Sequence, residues 1–173
     1  IKTIELNNGL FTAVDDEDYG SLISNYGKWY AFKDGNTTYV RCNYVKNGKR
    51  TALHMHRVIM SANPGQIVDH IDGNGLNNCR TNLRLATSQQ NSFNRKYKKP
   101  KTSEYKGVHW DNRQKKWRAR IEAEGKRILI GDYKNEDAAA RAYNKMALIY
   151  FGEFARLNVI VAKGGKTDEK TGE

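Results

Sequence analysis

The stretch from Gln66 to Arg95 most restricts the fold, because its residues prescribe short elements in a fixed order. Gln66-Ile67-Val68-Asp69-His70-Ile71 reads as a short strand. Asp72-Gly73-Asn74-Gly75 and Asn77-Asn78 are turn-forming residues, so a loop comes next. Leu83-Arg84-Leu85 reads as a second short strand. Thr87 followed by Gln90 fits a capping box, which predicts a helix from about Ser88 to Arg95 with Asn91 in its second turn. Strand, loop, strand and helix thus carry four polar residues between them: Asp69, His70, Asn82 and Asn91.

These side chains suit phosphodiester hydrolysis, which needs a base to activate water and a cation to neutralise charge on the phosphate and the departing oxygen. An imidazole, with an ordinary pKa of about 6.5, is a suitable base, and a hard Mg²⁺-type ion prefers carboxylate, carboxamide and phosphate oxygens. His70 and Asp69 supply those roles, Asn91 offers the carboxamide oxygen, and the Asn82 oxygen can hold the far nitrogen of His70 in one tautomer. Successive strand side chains point to opposite faces, so a strand end or bulge is expected at Asp69-His70. A base, unlike a ligand, need only flank the bound phosphate, which relaxes that demand. Taken singly, an Asp-His pair beside a turn is a capping or hydrogen-bonding pair, and Asn74, Asn77 and Asn78 are ordinary turn residues. The chemistry rests on the ordered set. His54 and His56 read as structural histidines.

The segment VDHIDGNGLNNCRTNLRLATSQQNSFNR resembles the HNH, or ββα-metal, nuclease family, in the version of phage and intron homing endonucleases whose last motif position is Asn. The resemblance spans roughly Leu53 to Arg95. It implies Asp69 and Asn91 as metal ligands, His70 as general base and Asn82 as the residue orienting that base. His56, in HMHRVIM, looks like the His that commonly precedes the motif and is assigned to supporting structure. The resemblance also implies one divalent ion per active site, Mg²⁺ or else Mn²⁺, and products with 5′-phosphate and 3′-hydroxyl ends; the residues themselves give no reason to expect structural zinc. One such site cuts one strand, so a monomer, the favoured state, nicks; a double-strand break requires a dimer or sequential binding.

Cys42 and Cys79 lack C-x-x-C spacing, so neither a zinc knuckle nor a redox motif is offered. Nothing resembles a signal peptide or membrane span, and the mean hydropathy of -0.82 describes a soluble intracellular protein with no membrane partner. A net charge of +11 is unevenly placed. Glu5, Asp15, Asp16, Glu17 and Asp18 make the beginning acidic, whereas Arg95, Lys96, Lys98, Lys99, Lys101 and Lys106 form a basic run opposed only by Glu104. Around Pro100 that run reads as a tether that tracks DNA phosphates through counterion release without reading bases.

Beyond the tether, YKGVHWDNRQKKWRARIEAEGKRILIGDY has strand periodicity with turns at Asp111-Asn112 and Glu124-Gly125, which predicts a three-stranded antiparallel sheet. Trp117, Ala119 and Ile121 share one face, while Lys116, Arg118 and Arg120 make the other a cationic plate. Asn135 is a helix cap, and Ala139, Ala142, Tyr143, Met146, Ile149 and Tyr150 repeat at helical spacing before Gly152. Tyr105, Gly107, Val108, Trp117, Ile121, Gly131, the run Asp137 to Tyr143, Gly152, Ala155 and Asn158 resemble the Apetala-2/ethylene-response-factor DNA-binding domain. In that family the sheet reads the DNA major groove. Matching positions imply contacts to double-stranded DNA from His109, Arg118, Arg120 and Arg127, with Arg113 from the first turn; Lys116 joins them on the plate.

Residues 10–60 carry short aromatic and β-branched runs separated by Gly20, Gly27, Asp34-Gly35 and Asn47-Gly48, so small antiparallel strands are predicted with Trp29, Tyr30 and Phe32 in the core. The chain is expected to be a multi-module α+β protein: an N-terminal β region (1–52), a ββα-metal nuclease (53–95), a basic linker (96–102), a sheet-plus-helix DNA-binding domain (103–160) and a disordered tail (161–173). The resemblances place it in the cytoplasm of a phage-infected bacterial host. Two rival readings are a non-catalytic DNA-binding regulator and an RNA-binding or phage-packaging nuclease active only in a complex.

Overall fold

The computed structural model describes residues 1–46, 48–95 and 102–161. Lys96, Lys98 and Lys99 of the expected linker, and the expected tail beyond Val161, lie outside them. The chain divides into two compact units, Ile1–Lys96 and Tyr97–Glu173, both built from small antiparallel sheets and helices in an α+β arrangement.

In the first unit, β1 (Lys2–Glu5) pairs with β2 (Phe11–Val14). The helix α1 (Asp16–Tyr26) comes next, where the sequence predicts only strands. Its first turn holds Asp16, Glu17 and Asp18, whose carboxylates meet the positive end of the helix dipole. Leu22 is its one buried residue, so no apolar stripe announces it in the sequence. Next come β3 (Tyr30–Asp34), β4 (Thr37–Lys46) and β5 (Lys49–His54), a three-stranded sheet in that order. The short α2 (Met55–Ile59) leads to β6 (Ile67–His70), β7 (Leu83–Ala86) and α3 (Ser88–Phe93). The predicted capping box forms: Thr87 Oγ1 accepts from the Gln90 N–H at 3.2 Å and Gln90 Oε1 from the Thr87 N–H at 2.8 Å.

One buried cluster holds Ile4, Val14, Leu22, Trp29, Val40, Met55, Ile59, Val68 and Leu83, so the N-terminal strands and the β6–β7 hairpin share a core. Trp29 is sealed within it, its indole N–H donating to the Leu22 carbonyl at 2.9 Å. Tyr30 and Phe32, expected beside it, are instead half-buried. They pair with Arg41 and Tyr39 on the face of β4 opposite the buried Val40 and Cys42. The loop between β6 and β7 is braced by β2. Ala13 N–H donates to the Leu76 carbonyl at 3.0 Å, and Asn78 N–H donates to the Ala13 carbonyl at 2.8 Å. The same loop touches β4 so closely at Gly75 that an added Cβ would lie 2.3 Å from the Thr38 carbonyl oxygen.

In the second unit, β8 (Val108–Asp111), β9 (Lys116–Ala123) and β10 (Lys126–Tyr133) form the predicted meander, with β9 central. Asn135 caps α4 (Glu136–Phe151), its Oδ1 accepting from the Ala138 N–H at 2.7 Å. The helix buries Ala139, Ala140, Tyr143, Ala147 and Phe151. Ile149 and Tyr150, which the sequence periodicity puts on the apolar stripe, are exposed, because steps of four from Ala139 turn the buried face toward Phe151 instead. Val108 and Ala119 meet Ala139 and Ala140 in the core. Gly107, at φ +76°, lies where a Cβ would strike the Tyr143 ring, so glycine is what admits the helix against the sheet. No helix among the described residues is long and apolar enough to cross a membrane.

Candidate active site

His70 is the last residue of β6 and is 5 % exposed. Its Nε2 lies 3.2 Å from Asn78 Oδ1. The Asn78 amide nitrogen is already committed, donating to Thr12 Oγ1 at 2.9 Å and to the Gly75 carbonyl at 3.2 Å. Its oxygen therefore faces the imidazole, and only an N–H can sit against it, which fixes the proton on Nε2 and leaves the lone pair on Nδ1. Thr12 in turn donates to the Leu76 carbonyl at 2.8 Å. Thr12 and Asn78 are fully buried, so this chain from β2 to His70 is sheltered from water. Asn78 reads as a turn residue in the sequence; the partner 66 positions away that makes it more than that is invisible there.

Asn82, expected to hold His70, has its polar atoms committed elsewhere. Its oxygen accepts from the Asp72 N–H at 3.0 Å, and its amide donates to Asp72 Oδ1 at 3.0 Å and to the Asn77 carbonyl at 2.9 Å. It closes the base of the loop, leaving the contact to His70 to Asn78. Burial works to raise the Asp72 pKa, yet the hydrogen bonds from Asn74, Asn77 and Asn82 hold it below the usual carboxylate range.

The β6–β7 ladder runs unbroken from Ile67↔Ala86 to His70↔Leu83, with Asp69 opposite Arg84. No bulge brings Asp69 and His70 to one side, and the two have separate partners. Arg84 donates to Asp69 Oδ2 through Nε at 2.9 Å and Nη2 at 2.8 Å. The Asn94 amide nitrogen lies 3.0 Å from both Asp69 oxygens, 2.9 Å from the His70 carbonyl and 3.2 Å from that of Ile71. Asn94 is 6 % exposed and sits just past α3, clamping that helix to the end of β6. Neither Arg84 nor Asn94 is singled out by the sequence.

Asn91 is half-buried within α3, the helix that Asn94 clamps to the end of β6. A carboxylate from Asp69 and a carboxamide oxygen from Asn91 suit a hard divalent ion. Among the described residues no group of three or more His, Cys, Asp or Glu is arranged to hold a metal. An ion on Asp69 and Asn91 would thus keep most of its positions for water and phosphate, as Mg²⁺ commonly does.

Around His70 stand three more rings. His56 lies 5.0 Å away, Tyr39 5.9 Å from His70 and 5.6 Å from His56, and His54 5.4 Å from His56, all between centroids. Burial, with the neighbouring His70, His54 and Arg57, lowers the His56 pKa to about 3. Its Nδ1 is buried without a hydrogen-bond partner. Burial also lowers the pKa of His70, against the raising effects of Asn78, Asp72 and Asp69, so the ring is neutral at neutral pH. A neutral, sheltered imidazole with a defined lone-pair nitrogen is what a general base requires.

In the second unit, His109, Lys116, Arg118 and Arg120 lie on one sheet face, with Arg127 on the neighbouring strand and Arg113 exposed in the first turn. This face is less cationic than β9 alone implies, because Asp111, Asp132 and Glu122 share it. Arg118 donates to both Asp132 oxygens, at 2.6 and 3.0 Å, and is also paired with Asp111. Its side chain is 14 % exposed, so it is built into the sheet, whereas Lys116, Arg120 and Arg127 project into solvent. Burial, Arg120 and Arg118 lower the His109 pKa. Arg95, on the first unit, is exposed.

Comparison with known proteins finds a family match within the first unit. The family described as HNH endonuclease matches residues 54–93. The uncharacterized HNH endonuclease L560 of Acanthamoeba polyphaga mimivirus is 38% identical over 149 residues, 83% of this chain and 72% of that protein. The DNA endonuclease I-HmuI of Bacillus phage SP01 is 35% identical over 85 residues, 42% of this chain and 49% of its own. The AP2-like ethylene-responsive transcription factor TOE2 of Arabidopsis thaliana is 32% identical over 74 residues, 43% of this chain and 15% of its own. No solved structure matches the chain.

Proposed function

The chain belongs to the HNH endonuclease family, and within it we propose a metal-dependent enzyme that cuts one strand of duplex DNA per active site, with His70 as general base. The observation that carries this reading is the Thr12–Asn78–His70 chain, which presents a neutral imidazole with its lone pair on Nδ1. Nδ1 takes the proton from the attacking water, and the Asn78 oxygen then stabilises the imidazolium through Nε2–H. Asp69 and Asn91 would hold one Mg²⁺ or Mn²⁺, which when bound neutralises charge on the phosphate and the departing oxygen. Arg84 and Asn94 hold the Asp69 carboxylate in place, and Asn82 keeps the loop closed beneath it.

The second unit serves as an Apetala-2-like DNA-binding domain, a fusion supported by the chain's partial likeness to a plant transcription factor and by the exposed Arg113, Lys116, Arg120 and Arg127. Arg118 shapes that face rather than reading a base. Arg95 and the basic residues that follow it in the sequence bind backbone phosphates without reading bases. Relatives from a phage and a virus support action inside an infected host cell.

The test is conversion of supercoiled DNA to nicked and linear forms with Mg²⁺ or Mn²⁺, comparing the wild type with His70→Ala at equal DNA binding. Cleavage lost in the variant, with nicked circles as first product, is the expected result. Equal cleavage by both proteins would remove His70 as the base, and linear product without a nicked intermediate would overturn one-strand cutting.

A further inference from the structure

The outer face of the β3–β4–β5 sheet has a composition unlike a merely solvated surface. Register places Tyr30 beside Arg41, Phe32 beside Tyr39, and Arg41 beside His54, so these side chains share one face. The Arg41 guanidinium lies 3.4 Å from the Phe32 ring centroid and 5.3 Å from that of Tyr30. Stacked in this way, the flat group is held in orientation without using its N–H donors. Its Nε is buried and has no hydrogen-bond partner, and no carboxylate pairs with the guanidinium among the described residues. The Tyr30 hydroxyl donates to Asn43 Oδ1 at 2.8 Å on the same face. Arg50 also lies on it, and Asp34 sits at its far end.

This face runs directly into the active site. Tyr39 is two positions from Arg41 on the same side of β4, a step of roughly 7 Å, and its ring is 5.9 Å from His70. The close approach of Gly75 to Thr38 and Tyr39 fixes the catalytic loop against the strand that carries Arg41. A half-buried, oriented arginine with no carboxylate partner among the described residues, on the strand whose Tyr39 reaches His70, is matched by a backbone phosphate a few nucleotides along the same strand.

We propose that the β3–β4–β5 face is a second DNA-binding surface, on which Arg41, held by Phe32 and Tyr30, binds a backbone phosphate of the strand being cut and leads it to His70. The proposal rests on the reading of His70 as the base of a DNA nuclease. It requires no contact from the second unit.

Arg41→Met tests it, since methionine keeps an apolar stem against Phe32 but offers no donor. The full chain is titrated in EDTA against a fluorescein-labelled 30-base-pair duplex of mixed sequence over a range of salt. Loss of one phosphate contact should make the slope of log affinity against log salt shallower by about 0.9 and weaken binding roughly five- to tenfold at 0.1 M salt. With metal, plasmid nicking should show a raised KM at nearly unchanged kcat. A folded Arg41→Met protein with wild-type slope and wild-type KM would overturn the proposal. If Arg41→Met does not fold, Asn43→Asp replaces it: the Tyr30 hydroxyl can still donate, but a negative charge now faces the phosphate, and unchanged affinity would again overturn it. Binding measured without metal is independent of cleavage. If His70→Ala nicks like the wild type while Arg41→Met loses the contact, the catalytic reading fails and the DNA-binding face stands.

Discussion

Acidification from pH 6.5 to 4.5 should weaken the first unit through His56. In the folded protein burial holds its pKa at about 3, whereas in the unfolded chain it takes the ordinary value of 6.5. Above pH 6.5 both forms are neutral and the group's contribution to stability is fully present. Below that the unfolded chain binds a proton that the folded one refuses, so stability falls as pH falls until the folded pKa is reached. Each pH unit in this window costs about 1.4 kcal/mol, giving between about 2 and 3 kcal/mol from pH 6.5 to 4.5. Carboxylates titrate over the same range, so the informative quantity is the difference between the wild type and His56→Phe, in which only this proton is removed. Urea unfolding at the two pH values, followed by the NMR signal of the Trp29 indole N–H that bonds Leu22, reports the first unit alone. The stability gap should shift by those 2 to 3 kcal/mol in favour of the variant at low pH. A parallel titration of the His Cε1–H signals should show one imidazole still neutral at pH 4.5. A His56 signal titrating near 6.5, or parallel pH dependence in the two proteins, would refute the claim that burial keeps this ring uncharged.

Asn78→Ala removes the oxygen that fixes the His70 tautomer, so kcat for nicking should fall at least tenfold while DNA affinity measured without metal stays put. An equal fall in affinity would mean the loop itself had collapsed. Asn94→Ala strips a buried donor from Asp69 and from two backbone carbonyls; the first unit should lose about 1–3 kcal/mol in urea unfolding, and Mn²⁺ binding followed by electron paramagnetic resonance should weaken. Wild-type Mn²⁺ affinity in a folded variant would release Asn94 from any part in holding Asp69. Asp132→Asn leaves Arg118 with Asp111 as its charged partner and raises the positive charge of the β8–β10 face, so duplex binding should tighten and its salt slope steepen by up to about one. Unchanged binding would argue that this face does not meet DNA.

The elements most legible in the sequence are those with local signals. The capping box at Thr87 and Gln90 forms with both of its bonds, and the turns at Asp111-Asn112 and Glu124-Gly125 join three strands in the expected order. The helix α1 has no such signal, because its stability comes from Leu22 in a shared core and from charge at its first turn, not from periodicity. On α4 the apolar residues extend beyond the buried stripe, so a count of apolar positions selects Ile149 and Tyr150 although Ala147 and Phe151 are the ones buried. The cationic plate fails in part for a related reason. Alternation along β9 identifies which of its own residues share a face, but Asp111 and Asp132 come to that face from neighbouring strands, and they neutralise Arg118.

At the site, residue types are legible while their wiring is not. Asp69, His70, Asn82 and Asn91 stand within about two dozen positions of one another, so the sequence displays them together. The partner of His70, however, is chosen by geometry across the fold. Asn78 can orient the ring only because Thr12, on a strand 66 residues earlier, takes one of its amide hydrogens and Gly75 takes the other. A turn-forming Asn and a strand Thr have no sequence mark that distinguishes this duty from the ordinary one. The same holds for Asn94, whose position three residues after Asn91 brings it over the end of β6 only when α3 packs there. Labour in the first unit is therefore divided. The motif supplies the candidate reactive groups, and Thr12 on an N-terminal strand anchors the Asn78 that faces His70. A motif segment separated from residues 1–52 would keep Asp69, His70, Asn82 and Asn91 and lose Thr12, the strand that braces the loop, and much of the core beneath it.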